Sequence, residues 1–128
     1  MKTLLALLLL IPSLSWGNLI KLKCTPKEYK MFDGIVFTED NLTDEDLNTI
    51  SFIMRINKSM KYIELETSSG FIKRFPTEDK IHNAKINASG NWSGQEYTIT
   101  VNNLFNYKID IRFQELHSFD YGSCISIN

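Results

Sequence analysis

The chain of 128 residues is short of the groups that usually carry chemistry: it has 2 cysteines, 2 histidines and 6 scattered glycines. His82 and His117 lie far apart with no H-x-x-x-H partner, so neither a metal site nor a histidine base is signalled. There is no G-x-S-x-G nucleophile elbow and no glycine-rich phosphate loop. With 3 prolines and no Pro/Gly/Ser-rich stretch, there is no linker to a second domain. Neither sign of charge dominates: Lys+Arg 14 against Asp+Glu 15 gives −1. That balance excludes the basic footprint of a dedicated nucleic-acid binder. Charged residues at 23% and aromatics at 12% exclude a wholly disordered chain. No enzyme activity, cofactor or metal is expected from such a composition.

What is present begins with a leader. Lys2 precedes an apolar run at 4–11, Pro12 ends it, and Ser15 and Gly17 fit the −3 and −1 sites of a signal peptidase. Residues 1–17 therefore read as a secretion signal, with cleavage after Ser15 as the alternative, and residues 18–128 as a single β domain. The run is well short of the ~20 residues that span a bilayer, and nothing later approaches that length. A secreted or periplasmic protein without a membrane span after cleavage is expected. In such an oxidising compartment Cys24 and Cys124 read as one disulfide tying the two chain ends.

Period-two alternation dominates the rest. Tyr97, Ile99 and Val101 alternate with Thr98 and Thr100, and Tyr107, Ile109, Ile111 and Phe113 with Lys108, Asp110, Arg112 and Gln114. Asn102, Asn103 and Asn106 supply turn chemistry between the two runs, giving an antiparallel hairpin. Further strands are readable at 19–24, 34–38, 50–56, 61–67, 71–75, 81–88 and 123–127, with 89–94 a loop by composition. Thr43 followed by Asp44, Glu45 and Asp46 marks one short helix, and 77–80 a possible single turn. About eight short strands in regular succession predict an all-β fold. The hairpin order favours a small antiparallel up-and-down β-barrel over a β-sandwich, closed by the disulfide between first and last strands. A monomer is expected.

Several clusters read most simply as surface chemistry. Tyr62, Glu64 and Glu66 share one strand face, with ~7 Å between neighbours, a spacing that glycoside hydrolysis tolerates but a solvated face also shows. Glu39, Asp40, Asp44, Glu45 and Asp46 lack the glycine and order of a calcium loop. Lys21, Lys23, Lys27 and Lys30 fit the guarding of an edge strand. Sequons stand at Asn41, Asn57, Asn87 and Asn91.

One pentapeptide is more specific. Ser93-Gly94-Gln95-Glu96-Tyr97 is similar to the S-G-x-x-Y motif of the periplasmic c-type lysozyme inhibitors, which are small secreted eight-stranded barrels. The resemblance covers five residues and implies that Ser93 sits on a loop entering the lysozyme cleft, with Tyr97 beginning the next strand. The family's second motif, Tyr followed by Thr-Lys-Gly, is missing, and with it the lysine that would reach the enzyme's carboxylates. From the residues themselves, Trp92 in a Ser/Gly/Asn setting has the composition of a recognition loop. The leading expectation is a non-catalytic binding module using Trp92, Ser93, Gly94 and Tyr97 toward an unknown protein. The alternatives are a barrel carrier of a small apolar ligand and an inhibitor of a lysozyme-like enzyme.

Overall fold

The computed structural model describes residues 19–78 and 85–127. The expected leader, His82, and residues 79 and 80 of the expected turn lie outside the described residues. The strands are β1 (Leu19–Lys30), β2 (Val36–Thr38), β3 (Phe52–Asn57), β4 (Tyr62–Thr67), β5 (Ile72–Pro76), β6 (Lys85–Trp92), β7 (Gln95–Asn102), β8 (Asn106–Phe113) and β9 (Leu116–Ser126). Between β2 and β3 a short 3-10 turn (Glu39–Asn41) precedes one α-helix, α1 (Asp44–Ile50). Thr43 caps it as its sequence indicates: the Asp46 amide donates to Thr43 Oγ1 and the Thr43 amide donates back to Asp46 Oδ2. That bond to the backbone holds the Asp46 carboxyl below the usual range.

The strands form a nearly closed antiparallel barrel in the order β5-β4-β3-β1-β9-β8-β7-β6, with β2 added beside β1. Alternating sequence becomes alternating burial. Tyr97, Ile99, Val101, Tyr107 and Ile109 point inward, while Glu96, Thr98 and Lys108 face out. Leu22, Met54, Ile56, Ile63 and Ile99 are at most 1% exposed, so side chains fill the interior of the barrel. Among the described residues no helix is long and apolar enough to cross a membrane.

The first and last strands pair along their length, and Cys24 and Cys124 stand directly opposite each other, bonded, with Cα atoms 4.0 Å apart. The Cys124 amide donates to the Phe105 carbonyl rather than to β1, so the cysteines occupy a non-hydrogen-bonded pair, where side chains come closest. By the same alternation Pro26 turns its nitrogen away from β9. It does so between the last β3 partner, at Cys24, and the first β2 partner, at Glu28, so its missing donor breaks no ladder bond. The register shifts there, between Pro26 and Glu28, and Gly122 lies opposite. A Cβ on Gly122 would stand 2.2 Å from the Thr25 carbonyl oxygen, so only glycine fits beside the bulge.

Three sequence expectations need correction. β1 is not an edge: β3 and β9 flank it, so Lys21 and Lys23 project from a central strand. Residues 89–92 are not loop, since β6 continues through Trp92. The last strand starts at Leu116, well before residue 123, because Ser118, Asp120 and Gly122 take the inward positions and hide the apolar alternation.

The barrel's remaining gap lies between β5 and β6. Among the described residues their backbones meet at the Thr77–Ala88 bridge and the Glu78 amide to Asn87 carbonyl bond of 2.9 Å. Packing completes the closure: Ala88 and Gly90 leave so little bulk on β6 that Phe75 of β5 and Tyr97 of β7 stack across it, centroids 4.9 Å apart.

Removing the disulfide, by reduction or as C24A/C124A, should lower the unfolding free energy by about 2–5 kcal/mol. Urea unfolding measures this, and an unchanged midpoint would contradict it. Gly122→Ala should cost on the order of 3 kcal/mol in the same assay.

Candidate functional site

One end of the barrel gathers the β4–β5, β6–β7 and β8–β9 turns together with the C-terminal end of α1. The β4–β5 turn is pinned to the helix, Ser68 Oγ donating to the Thr49 carbonyl at 2.6 Å. Below this mouth lies a cavity of about 230 Å³. Its apolar walls include Phe52, Leu65, Ile109 and Ile111; Lys73 and Asp120 are its charged members, and Tyr29, Tyr97, Thr49, Ser51, Thr67 and Ser68 add hydroxyl groups.

Trp92, Ser93, Gly94 and Tyr97 all lie at this end, though not as a loop. Ser93 and Gly94 are the two central residues of a tight β6–β7 turn, both with positive φ, 52° and 78°. That is the geometry of a two-residue hairpin, not of a long loop; Gly94 adopts it freely and Ser93 less readily. Trp92, the last residue of β6, is 37% exposed. Tyr97 is the third residue of β7, and its ring is buried, so only its hydroxyl reaches the mouth.

The residue that joins them escaped the sequence reading. Lys73 pairs with Leu65 in register, which turns it inward above Phe75. Its Nζ donates to Tyr97 Oη at 3.0 Å and lies 4.3 Å from the Trp92 ring centroid and 5.1 Å from that of Tyr97. Tyr97 in turn donates to Gln95 Oε1. A lysine between Phe71 and Phe75 on one strand face was the available signal.

Asp120 is the second inward-facing charged residue. Tyr107 Oη donates to its Oδ1 at 2.7 Å, and the Tyr107 ring lies edge-on to Phe52. Burial pushes the Asp120 carboxyl up to about 7, against the opposing pull of the Tyr107 hydroxyl. Burial and this neighbouring carboxylate raise both Tyr107 and Tyr29 above the ordinary phenol value. Its sequence signal was parity with Cys124 through Gly122.

The other candidates resolve elsewhere. Glu64 is buried on the outer face rather than solvated. Arg74 donates to its Oε2 at 2.8 Å and Arg55 to its Oε1 at 3.4 Å, while Arg55 also reaches Glu66. Two of the chain's 3 arginines thus neutralise the carboxylates that suggested glycoside chemistry. Arg74 stacks over Tyr62, and its bonds to Glu64 hold its guanidinium still more firmly protonated. His117 meets Asp110 at 2.9 Å across the outer face of β8 and β9, a carboxylate partner that sequence spacing hid. Among the described residues no group of three or more His, Cys, Asp and Glu converges as a metal site.

Set against protein-family models, curated proteins and solved structures, the chain gives no significant match.

The Asp120 carboxyl is harder to ionise folded than unfolded, where its pKa is near 3.9. Its contribution to stability is therefore full below about pH 4 and is lost as pH rises through about 7. Asp120→Asn should abolish that loss, worth on the order of 2–4 kcal/mol. Urea midpoints at pH 4.5 and 8 test it: the difference between the two should shrink in the variant.

Proposed function

We propose that this chain is a secreted or periplasmic, non-catalytic binding module that engages a protein partner through the mouth of its barrel. The observation that carries this reading is the rim. Phe71 (63% exposed), Trp92, Phe113 and Leu116 come from three successive turns and stand exposed at the same end. Gly94 brings the Trp92 turn against Phe113, where its Cβ position is 4.0 Å from the Phe113 ring. Apolar side chains grouped around a cavity have the character of an interaction surface rather than of scattered exposure. The cavity below suits one inserted side chain, being smaller than the 300–1,000 Å³ typical of ligand pockets. The filled interior weighs against an apolar cargo carried inside the barrel.

Trp92→Ala and Phe71→Ser should leave unfolding cooperative and abolish capture of the partner by the immobilised oxidised protein. Loss of cooperative folding in Trp92→Ala would instead make Trp92 a structural plug folded over the open end of the barrel. Native mass spectrometry should show a monomer without a large apolar cargo; a retained apolar ligand too large for the mouth cavity would replace this reading with the carrier.

The position of Ser93, exposed at the tip of a rim turn, favours one second reading, inhibition of a lysozyme-like enzyme. Slower clearing of a cell-wall suspension by such an enzyme in the presence of the chain supports it. Unchanged clearing removes it and leaves the first reading in place.

A further inference from the structure

We propose that the mouth cavity is a binding site for a small monocarboxylate with an apolar body, of the size of hexanoate or benzoate. The site is the cavity itself, apart from the rim above it.

Lys73 supplies the charge. Its ammonium has three N–H donors, of which Tyr97 Oη accepts one. The ion pairs formed among the described residues leave it out: no carboxylate lies within 4.0 Å of its nitrogen. The rings of Trp92 and Tyr97 hold it in place through their faces, which carry no counter-charge and accept no further strong hydrogen bond. Lys73 is thus a positioned, partly desolvated cation lining a cavity, with donors to spare for an anion.

The walls choose the rest of the ligand. Phe52, Leu65, Ile109 and Ile111 offer apolar surface, so a bare inorganic anion would leave most of the lining uncovered. A benzene ring fits an engineered cavity of about 150 Å³. The 230 Å³ here accommodates a ring or six-carbon chain together with its carboxylate.

Asp120 fixes the direction. Among the described residues it is the only carboxylate of the lining, and it belongs to β9, four places from β5 in the eight-strand circle and so on the opposite wall. A single carboxylate is drawn toward Lys73 and away from Asp120, whereas a dicarboxylate would bring its second charge against Asp120.

Isothermal titration of the oxidised protein with hexanoate, benzoate, hexanol and hexylamine at pH 8, where Asp120 is ionised, and one salt concentration tests this. Both acids should bind, hexanoate about tenfold or more tighter than hexanol, the size of one charge-assisted contact. Lys73→Met should reduce hexanoate to the hexanol level and Lys73→Arg should retain the preference, with near-UV circular dichroism confirming each fold. Lys73→Gln serves in place of Met should that variant misfold. Equal binding of acid and alcohol, hexanoate binding untouched by Lys73→Met, or binding of no probe would each overturn the proposal. Preference for hexylamine would also overturn it, by assigning the cavity to Asp120. The rim is read separately: Phe71→Ser should lose the protein partner while binding hexanoate normally, so failure of one reading leaves the other measurable.

Discussion

The pairing of the first strand with the last governs everything else in this molecule. Every other pairing in the eight-strand circuit joins strands consecutive along that circuit, with β2 set beside β1 as an addition. Only β1 and β9 bring together residues a hundred positions apart, the separation of the two cysteines. Closing so long a loop is the costliest ordering step in a meander, and the disulfide removes much of that cost from the unfolded chain. Once the ends are tied, the hairpins between them have one way to curl, with their apolar faces inward. The bulge at Pro26 and the bare backbone of Gly122 let the long first strand bend across the last without losing its ladder.

The fold was legible wherever inward positions are apolar. β7 and β8 carry the pattern without interruption, and the capping sequence at Thr43 marked the helix. Reading failed where the barrel needs small or polar residues inside. Gly90 falls in a stretch of loop composition, yet it is small because two aromatic rings from neighbouring strands must meet over it. Ser118, Asp120 and Gly122 hide half of β9 for a related reason, since Gly122 must clear β1 and Asp120 faces the cavity. The outer face misled in the opposite sense. Glu64 and Glu66 alternate as a solvated edge would, and only cross-strand register brings Arg55 and Arg74 onto them.

The same distinction separates scaffold from site. One stretch of the interior is packed shut, and the polar inward residues are confined to the end beneath the turns. Trp92 and Tyr97 were readable as candidates because aromatics beside a turn are conspicuous. Lys73 and Asp120 were not, since a charged residue in an alternating strand is assigned outward unless its parity is followed from a fixed point. The cysteines provide such a point for Asp120, and Phe75 provides one for Lys73. Every buried side-chain nitrogen and oxygen among the described residues has a partner, so the polar end adds no unsatisfied group.

The weak join between β5 and β6 has a mechanical consequence. In the strand order the disulfide sits at the centre and this join at the two extremes, so they lie on opposite sides of the barrel. The molecule is built as two four-stranded half-shells on a covalent hinge. The clasp between them consists, among the described residues, of the Thr77–Ala88 bridge with the Glu78–Asn87 backbone bond, the stacked Phe75 and Tyr97 rings, and Lys73 reaching across to Trp92 and Tyr97. A backbone ladder runs along the hinge side, whereas among the described residues the clasp side rests mainly on side-chain contacts. An opening at this seam would part the half-shells beside Lys73 and Trp92 and widen the mouth, with the disulfide-bonded ladder on the opposite side left in place.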